Sequence, residues 1–161
     1  MTYDSNNRDM LRHTVATLAY RGGKVVANVP QDFTNFRAAE TSRTPGEILA
    51  HIGDLLDWSL QVAKGDYVYK EVAPRSWEED VKRFFAALQK LDAYLASAAP
   101  LGYSAEKIFQ GPIADALTHV GQIALLRRMA GGPVRGENYF KAEIVSGRVG
   151  REQSANRIEF D

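Results

Sequence analysis

The sequence contains no cysteine. That absence excludes disulfide frameworks, thiolate zinc sites, iron–sulfur clusters and a cysteine nucleophile. Any metal or redox chemistry must therefore use histidine and carboxylate side chains. Histidine itself is scarce, with three residues among 161, and net charge is nil because 20 Lys and Arg offset 20 Asp and Glu. The cations are scattered along the chain, so there is no basic patch of the kind that displaces counterions from phosphates, which argues against nucleic-acid binding. Long apolar runs are lacking too, and none approaches the ~18–20 residues that a membrane span needs. The first residues, Met1-Thr2-Tyr3-Asp4-Ser5-Asn6, are polar and carry no signal-peptide core. The expectation is a soluble, cytoplasmic protein with no membrane or nucleic-acid partner. Familiar hydrolase and nucleotide-binding motifs (G-x-S-x-G, a glycine-rich phosphate loop, H-E-x-x-H) are also absent.

What the chain does have is helical periodicity with paired start and stop signals, from which an all-α fold follows. A chain of this length buries a real core and is expected to form one domain over residues 1–161. Leu11, Val15, Leu18, Gly22, Val25 and Val29 recur every three or four residues and predict a first helix over about 6–28, ended by Pro30. Thr44-Pro45-Gly46-Glu47 is a capping box that opens a second helix, whose stripe is Ile48, Ile52, Leu55, Leu56 and Leu60 and whose stop is Gly65. Ser76-Trp77-Glu78-Glu79 repeats the signature before Val81, Phe84, Phe85, Leu88, Leu91 and Leu95, with Pro100 beyond. A fourth segment starts after Ser104, is interrupted at Gly111-Pro112, and resumes as the main helix from Pro112 to about Ala130. Tyr139 to Val145 suggests one more short helix, and the polar tail from Arg151 reads as a surface loop.

Helices of this size are ~27–36 Å long and have the proportions of a four-helix bundle. The linker from Asp66 to Ser76 reaches roughly 36 Å when extended, so a parallel crossover between helices two and three is allowed.

His51 is in line with Ile48, Leu55, Trp58 and Val62, on the stripe that faces the bundle interior. Asp115 precedes His119 by four residues, which stacks the two side chains on one helix face, one turn apart. If helices two and four are neighbours, His51 completes a two-histidine, one-carboxylate set, which suits Zn, Ni, Fe(II) or Mn and leaves coordination positions open. Plainer readings stand beside this one. His51 alone fits a hydrogen-bonded core residue, Asp115 fits a carboxylate near a helix start at Pro112, and Asp115 with His119 fits an ion pair. His13 lies off the main stripe and outside the candidate site. Gln122 is one turn from His119 and is a candidate neighbour of the site rather than a ligand. Arg127 and Arg128 complement the helix dipole, and either could clamp an anionic substrate. Trp58, Trp77, Phe84 and Phe85 read as packing residues.

The run Thr44-Pro45-Gly46-Glu47-Ile48-Leu49-Ala50-His51-Ile52-Gly53-Asp54, together with Asp115 to Gln122 and Leu126-Arg127-Arg128, resembles the DinB-like (YfiT-type) four-helix-bundle superfamily of metalloenzymes. The resemblance covers essentially the whole chain in helix order. Its most specific parts are the L-x-H ending at His51 and the H-x-G-Q beginning at His119. The resemblance implies an up-down-down-up bundle with a short C-terminal extension, and one divalent metal ion (Zn, Ni, Fe or Mn) held by His51, position 115 and His119. It departs from the family pattern at position 115, where Asp stands in place of His; a carboxylate still ligates, favours harder ions and adds a negative charge. Characterised branches include bacillithiol- or mycothiol-dependent S-transferases and a maleylpyruvate isomerase. The resemblance therefore implies a small-molecule substrate, a low-molecular-weight thiol as the nucleophile that this chain cannot supply, and a homodimer. The alternatives are a metal-dependent hydrolase, or a non-catalytic helical binding module in which the triad is a structural polar network.

Overall fold

A computed structural model describes residues 3–160. The described residues form an all-α four-helix bundle with a two-stranded ribbon beside it. The helices are α1 (Tyr3–Val26), α2 (Pro45–Lys64), α3 (Trp77–Ala96) and α4. The last is assembled from an α-helical turn Ala105–Ile108, a π-helical stretch Phe109–Ile113 and a regular helix Ala114–Met129. The expected helix stripes are the buried faces: Leu11, Val15 and Leu18 of α1, Ile48, Ile52 and Leu56 of α2, Val81, Phe84, Leu88 and Leu91 of α3, and Ile123 of α4 meet in one hydrophobic cluster.

The two capping boxes form as the residue types dictate. Thr44 Oγ1 accepts from the Glu47 amide at 3.2 Å while a Glu47 carboxylate oxygen accepts from the Thr44 amide at 2.6 Å, and Ser76 and Glu79 repeat the exchange. At the other end of α2, Gly65 adopts φ 100°, the left-handed region that ends helices without steric cost to glycine. Gly102 packs directly on it, and a Cβ at Gly102 would lie 2.1 Å from the Gly65 Cα.

Hydrogen bonds between helices fix the directions. Arg12 near the start of α1 meets Asp92 near the end of α3 at 2.9 Å, and the Trp77 indole at the start of α3 donates to the Val26 carbonyl at the end of α1 at 3.1 Å. These two helices are antiparallel. Arg83 in the first half of α3 donates to the Ala50 carbonyl and the Asp54 carboxylate in the first half of α2, so α2 and α3 are parallel. Arg127 near the end of α4 binds carbonyls at the end of α1, so α1 and α4 are parallel. The order is up-down-down-up, and the linker between α2 and α3 is the long crossover that its length allows. α2 packs against both α3 and α4, which makes the last of these a neighbour of His51.

Three boundaries differ from the sequence expectation. α1 ends at Val26 rather than near 28, because Asn28 is left-handed (φ 50°) and Arg127 binds the Val25, Ala27 and Asn28 carbonyls that would otherwise be left over. The fourth helix does not restart at Pro112 but runs from its Ser104 cap straight through the proline. Proline has no N–H and its ring crowds the preceding turn, and the wider π turn absorbs both defects. Residues Tyr139 to Val145 form turns instead of a helix. The segment is held to α1 by neighbouring anchors: the buried Glu137 carboxylate accepts from the Tyr20 hydroxyl and, at 2.8 Å, from Lys24, while the Arg21 guanidinium lies 4.3 Å over the Tyr139 ring. Burial alone would raise the Glu137 carboxyl, but the hydrogen bonds from Lys24 and Tyr20 outweigh it and hold the group below its usual range. Burial and the same contact push the Tyr20 phenol up to about 12. The polar tail is a loop that ends in order: β2 (Glu159–Phe160) pairs antiparallel with β1 (Gly136–Glu137).

Arg127 is 6% exposed and donates to four carbonyls, Val25, Ala27, Asn28 and Gly132. It is a structural cap for α1 and is not available to a substrate. Replacing it by alanine strands those carbonyls, so Arg127→Ala should lower the urea-unfolding free energy by about 3 kcal/mol. The exposed Arg128→Ala control should stay within about 0.5 kcal/mol of the parent.

Candidate metal centre

His51 projects from the second turn of α2, and Asp115 and His119 project from consecutive turns of α4. The structure brings all three together: one ligand atom from each lies within 4.8 Å of the other two. His51 Nε2 is 3.9 Å from Asp115 Oδ2, His119 Nδ1 is 3.2 Å from Asp115 Oδ1, and the two imidazoles meet edge to face with centroids 4.7 Å apart. Ligand atoms on a four-coordinate ion with ~2.1 Å bonds sit roughly 3.4 Å apart. A cation would thus need the side chains to draw in by about an ångström, which rotamer adjustment supplies without backbone movement.

The hydrogen bonds around the imidazoles favour ligation. His119 Nδ1 is 2.8 Å from the Asp115 backbone carbonyl, which can only accept, so the proton belongs on Nδ1 and the free lone pair on Nε2. His51 Nδ1 is 3.1 Å from the Tyr69 hydroxyl, which can accept its proton and leave Nε2, the nitrogen facing Asp115, as the donor atom. Burial, followed by the neighbouring His119 and Arg43 charges, pushes the His51 pKa below its ordinary value despite the opposing pull of Asp115 and Asp54. That shift favours the neutral imidazole, the form that ligates; the ion-pair reading concerns Asp115 and His119, whose Oδ1 and Nδ1 are 3.2 Å apart.

The position of Asp115 separates the other readings. Because α4 begins at Ala105, Asp115 stands about three turns inside a continuous helix and does not complement a helix start. The π-helical stretch that carries the chain through Pro112 ends immediately before Ala114, one residue ahead of Asp115. The Asp115 side chain is 46% exposed, against 18% for His51 and 12% for His119, so solvent reaches the group from the carboxylate side.

Two cavities flank the triad. One, of about 420 Å³, has His51 in its wall with Glu47, Asp54 and Glu71. The other, of about 380 Å³, has His119 in its wall with Ile48, Gln122, Leu125 and Leu126. Arg43 borders both. Gln122 is exposed and lines the second cavity, beside the site as expected. His13 is exposed on α1, outside the site. Trp58 is half-buried, packs against the core and meets Tyr67 and Tyr69 of the α2–α3 linker edge to face at 5.5 and 5.7 Å, while Phe84 and Phe85 lie within the core. Sequence reasoning missed Tyr69 and Arg43. Both lie in connections without periodicity, and an exposed tyrosine 18 residues from His51 carries no local signal of contact.

His51, Asp115 and His119 therefore form a group that could hold a metal ion: two imidazoles with oriented lone pairs and one accessible carboxylate. Among the described residues, no helix is long and apolar enough to cross a membrane. No protein-family model, curated protein or solved structure matches the chain.

The lowered His51 pKa makes stability depend on pH in one direction. The unfolded chain, with an ordinary histidine near pH 6.5, takes up protons before the folded one does, so stability is full above about 6.5 and falls as pH drops through the folded value. In chelator-treated protein, urea unfolding at pH 7.5 and pH 5 should show this loss, and His51→Gln should shrink it. A variant with an unchanged pH slope would contradict the assignment.

Proposed function

We propose that this chain is a divalent-metal-dependent enzyme of the DinB-like superfamily, acting on a small-molecule substrate with a low-molecular-weight thiol as nucleophile. The observation that carries the reading is the meeting of His51 from α2 with Asp115 and His119 from α4 at a solvent-reached wall between two cavities. A divalent ion bound there supplies a Lewis acid with open positions, which lowers the pKa of an incoming thiol. The chain's own residues do the rest. His51 and His119 offer nitrogen donors of set orientation, and Tyr69 holds the His51 ring in place. Asp115 neutralises part of the ion's charge and tilts the set toward harder ions than three histidines would select. A chain with no cysteine has no thiolate of its own, which is why the nucleophile is assigned to a second small molecule.

Protein purified without a nickel column should carry close to one equivalent of Zn, Ni, Fe or Mn by elemental mass spectrometry. Adding the preferred ion to chelated protein at about 100 times its Kd should raise Tm by roughly 5–10 °C. His119→Ala and Asp115→Ala should abolish that rise while the helical circular-dichroism signal persists, and Asp115→His should keep it with a preference moved toward Zn and Ni. Loaded protein should consume a thiol in the presence of a panel of electrophiles. Absence of stoichiometric metal together with an unmoved Tm for all four ions would sink the proposal.

A further inference from the structure

We infer that the cavity on the His119 side of the triad is a subsite for a small carboxylic acid with an apolar body, whose carboxylate is taken by Arg43. The inference rests on the reading of the triad as the reaction centre and adds a substrate class to it.

The two flanking cavities differ in charge. Three carboxylate side chains, Glu47, Asp54 and Glu71, line the cavity on the His51 side. None lines the one on the His119 side, whose walls are Ile48, Leu125 and Leu126 with the neutral Gln122, and whose cation is Arg43, which stands between the two cavities. Arg43 is exposed and has no hydrogen-bond or ion-pair partner among the described residues, whereas nearby carboxylates are already engaged: Glu47 with Arg37, and Asp54 with Arg83. An unpaired guanidinium at the mouth of an apolar cavity is complementary to a planar, bidentate anion joined to a hydrocarbon.

Leu125 supplies a second, independent observation. It is 58% exposed, while Ile123 and Leu126 on the same helix are buried in the core. Its side chain extends the apolar wall of the cavity without contributing to the bundle, so a ligand's carbon chain would cover surface that the fold leaves wet. A volume of about 380 Å³ falls in the range of small-molecule sites. The charge state of the ligand is limited as well. Asp115 Oδ1 is 3.2 Å from Nδ1 of His119, a residue of the cavity wall, so with a single guanidinium present a second negative charge on the ligand would be repelled. That selects a carboxylate over a phosphate monoester.

The test uses full-length, chelator-treated protein, hexanoate, hexanol and hexyl phosphate as probes, and the imidazole ring-proton signals as readout. Hexanoate should shift the His119 signal and leave that of His13 in place, with an affinity about tenfold above that of hexanol and above that of hexyl phosphate. Arg43→Gln should remove the preference for hexanoate over hexanol, and Leu125→Ser should weaken both several-fold. Both positions are exposed, so the variants should melt with the parent. Equal affinities for hexanoate and hexanol, a preference that survives Arg43→Gln, tighter binding of hexyl phosphate, or no binding of hexanoate would each overturn the assignment. Because no metal is present, failure here leaves the metal titration standing, and failure of the metal titration leaves this result standing.

Discussion

Asp54 is a carboxylate placed where solvent cannot reach it, on the inner run of α2, with a side chain 1% exposed. A lone charge in that position would cost several kcal/mol, so the chain around it must supply partners. Arg83 of α3 donates to it at 2.7 Å and the Val72 amide of the crossover linker at 3.2 Å. The same guanidinium reaches the Ala50 carbonyl and Asp57, tying α3 to three places on α2. Satisfying one buried carboxylate thus lays two parallel helices side by side and draws the linker back along α2. The linker's return is what sets Tyr69 against His51 and forms the outer wall of the cavity beside it.

The opposite corner of the bundle is held by the same physics and ends in stability alone. Glu137 is enclosed and answered by Tyr20, Lys24 and Arg157, which fastens the C-terminal segment to α1. Arg127 caps the end of α1 from within α4. In both places the central charge, Glu137 or Arg127, is enclosed and answered. The group of His51, Asp115 and His119 differs from these two in leaving its carboxylate half in solvent with cavities on either side.

Much of the architecture was legible in local chemistry. Thr44 with Glu47 and Ser76 with Glu79 marked the starts of α2 and α3, because a cap is satisfied by residues three apart, whatever lies elsewhere. Gly65 marked a helix end for the same local reason. Pro112 misled: a proline that starts helices in isolation is here carried inside one by a π turn, which neighbouring packing of Ile108 and Ile113 stabilises. Tyr139 to Val145 misled similarly, since a weak helical pattern lost to side chains on α1 that are over a hundred residues away. Arg127 looked like an ordinary last-turn cation until the carbonyls of α1 were found around it.

For the candidate site the division is sharper. Residue type and the four-residue spacing of Asp115 and His119 were enough to place two donors on one face, because an α-helix repeats every 3.6 residues regardless of its surroundings. The sequence by itself therefore determined the helices, their apolar faces and which three side chains had the chemistry to hold a cation. Only the tertiary structure decided that α2 and α4 are neighbours, that Asp115 stands deep in a helix rather than at its start, and that Tyr69 and Arg43 stand beside the triad. These depend on contacts between residues far apart in the chain, and no local periodicity encodes such contacts.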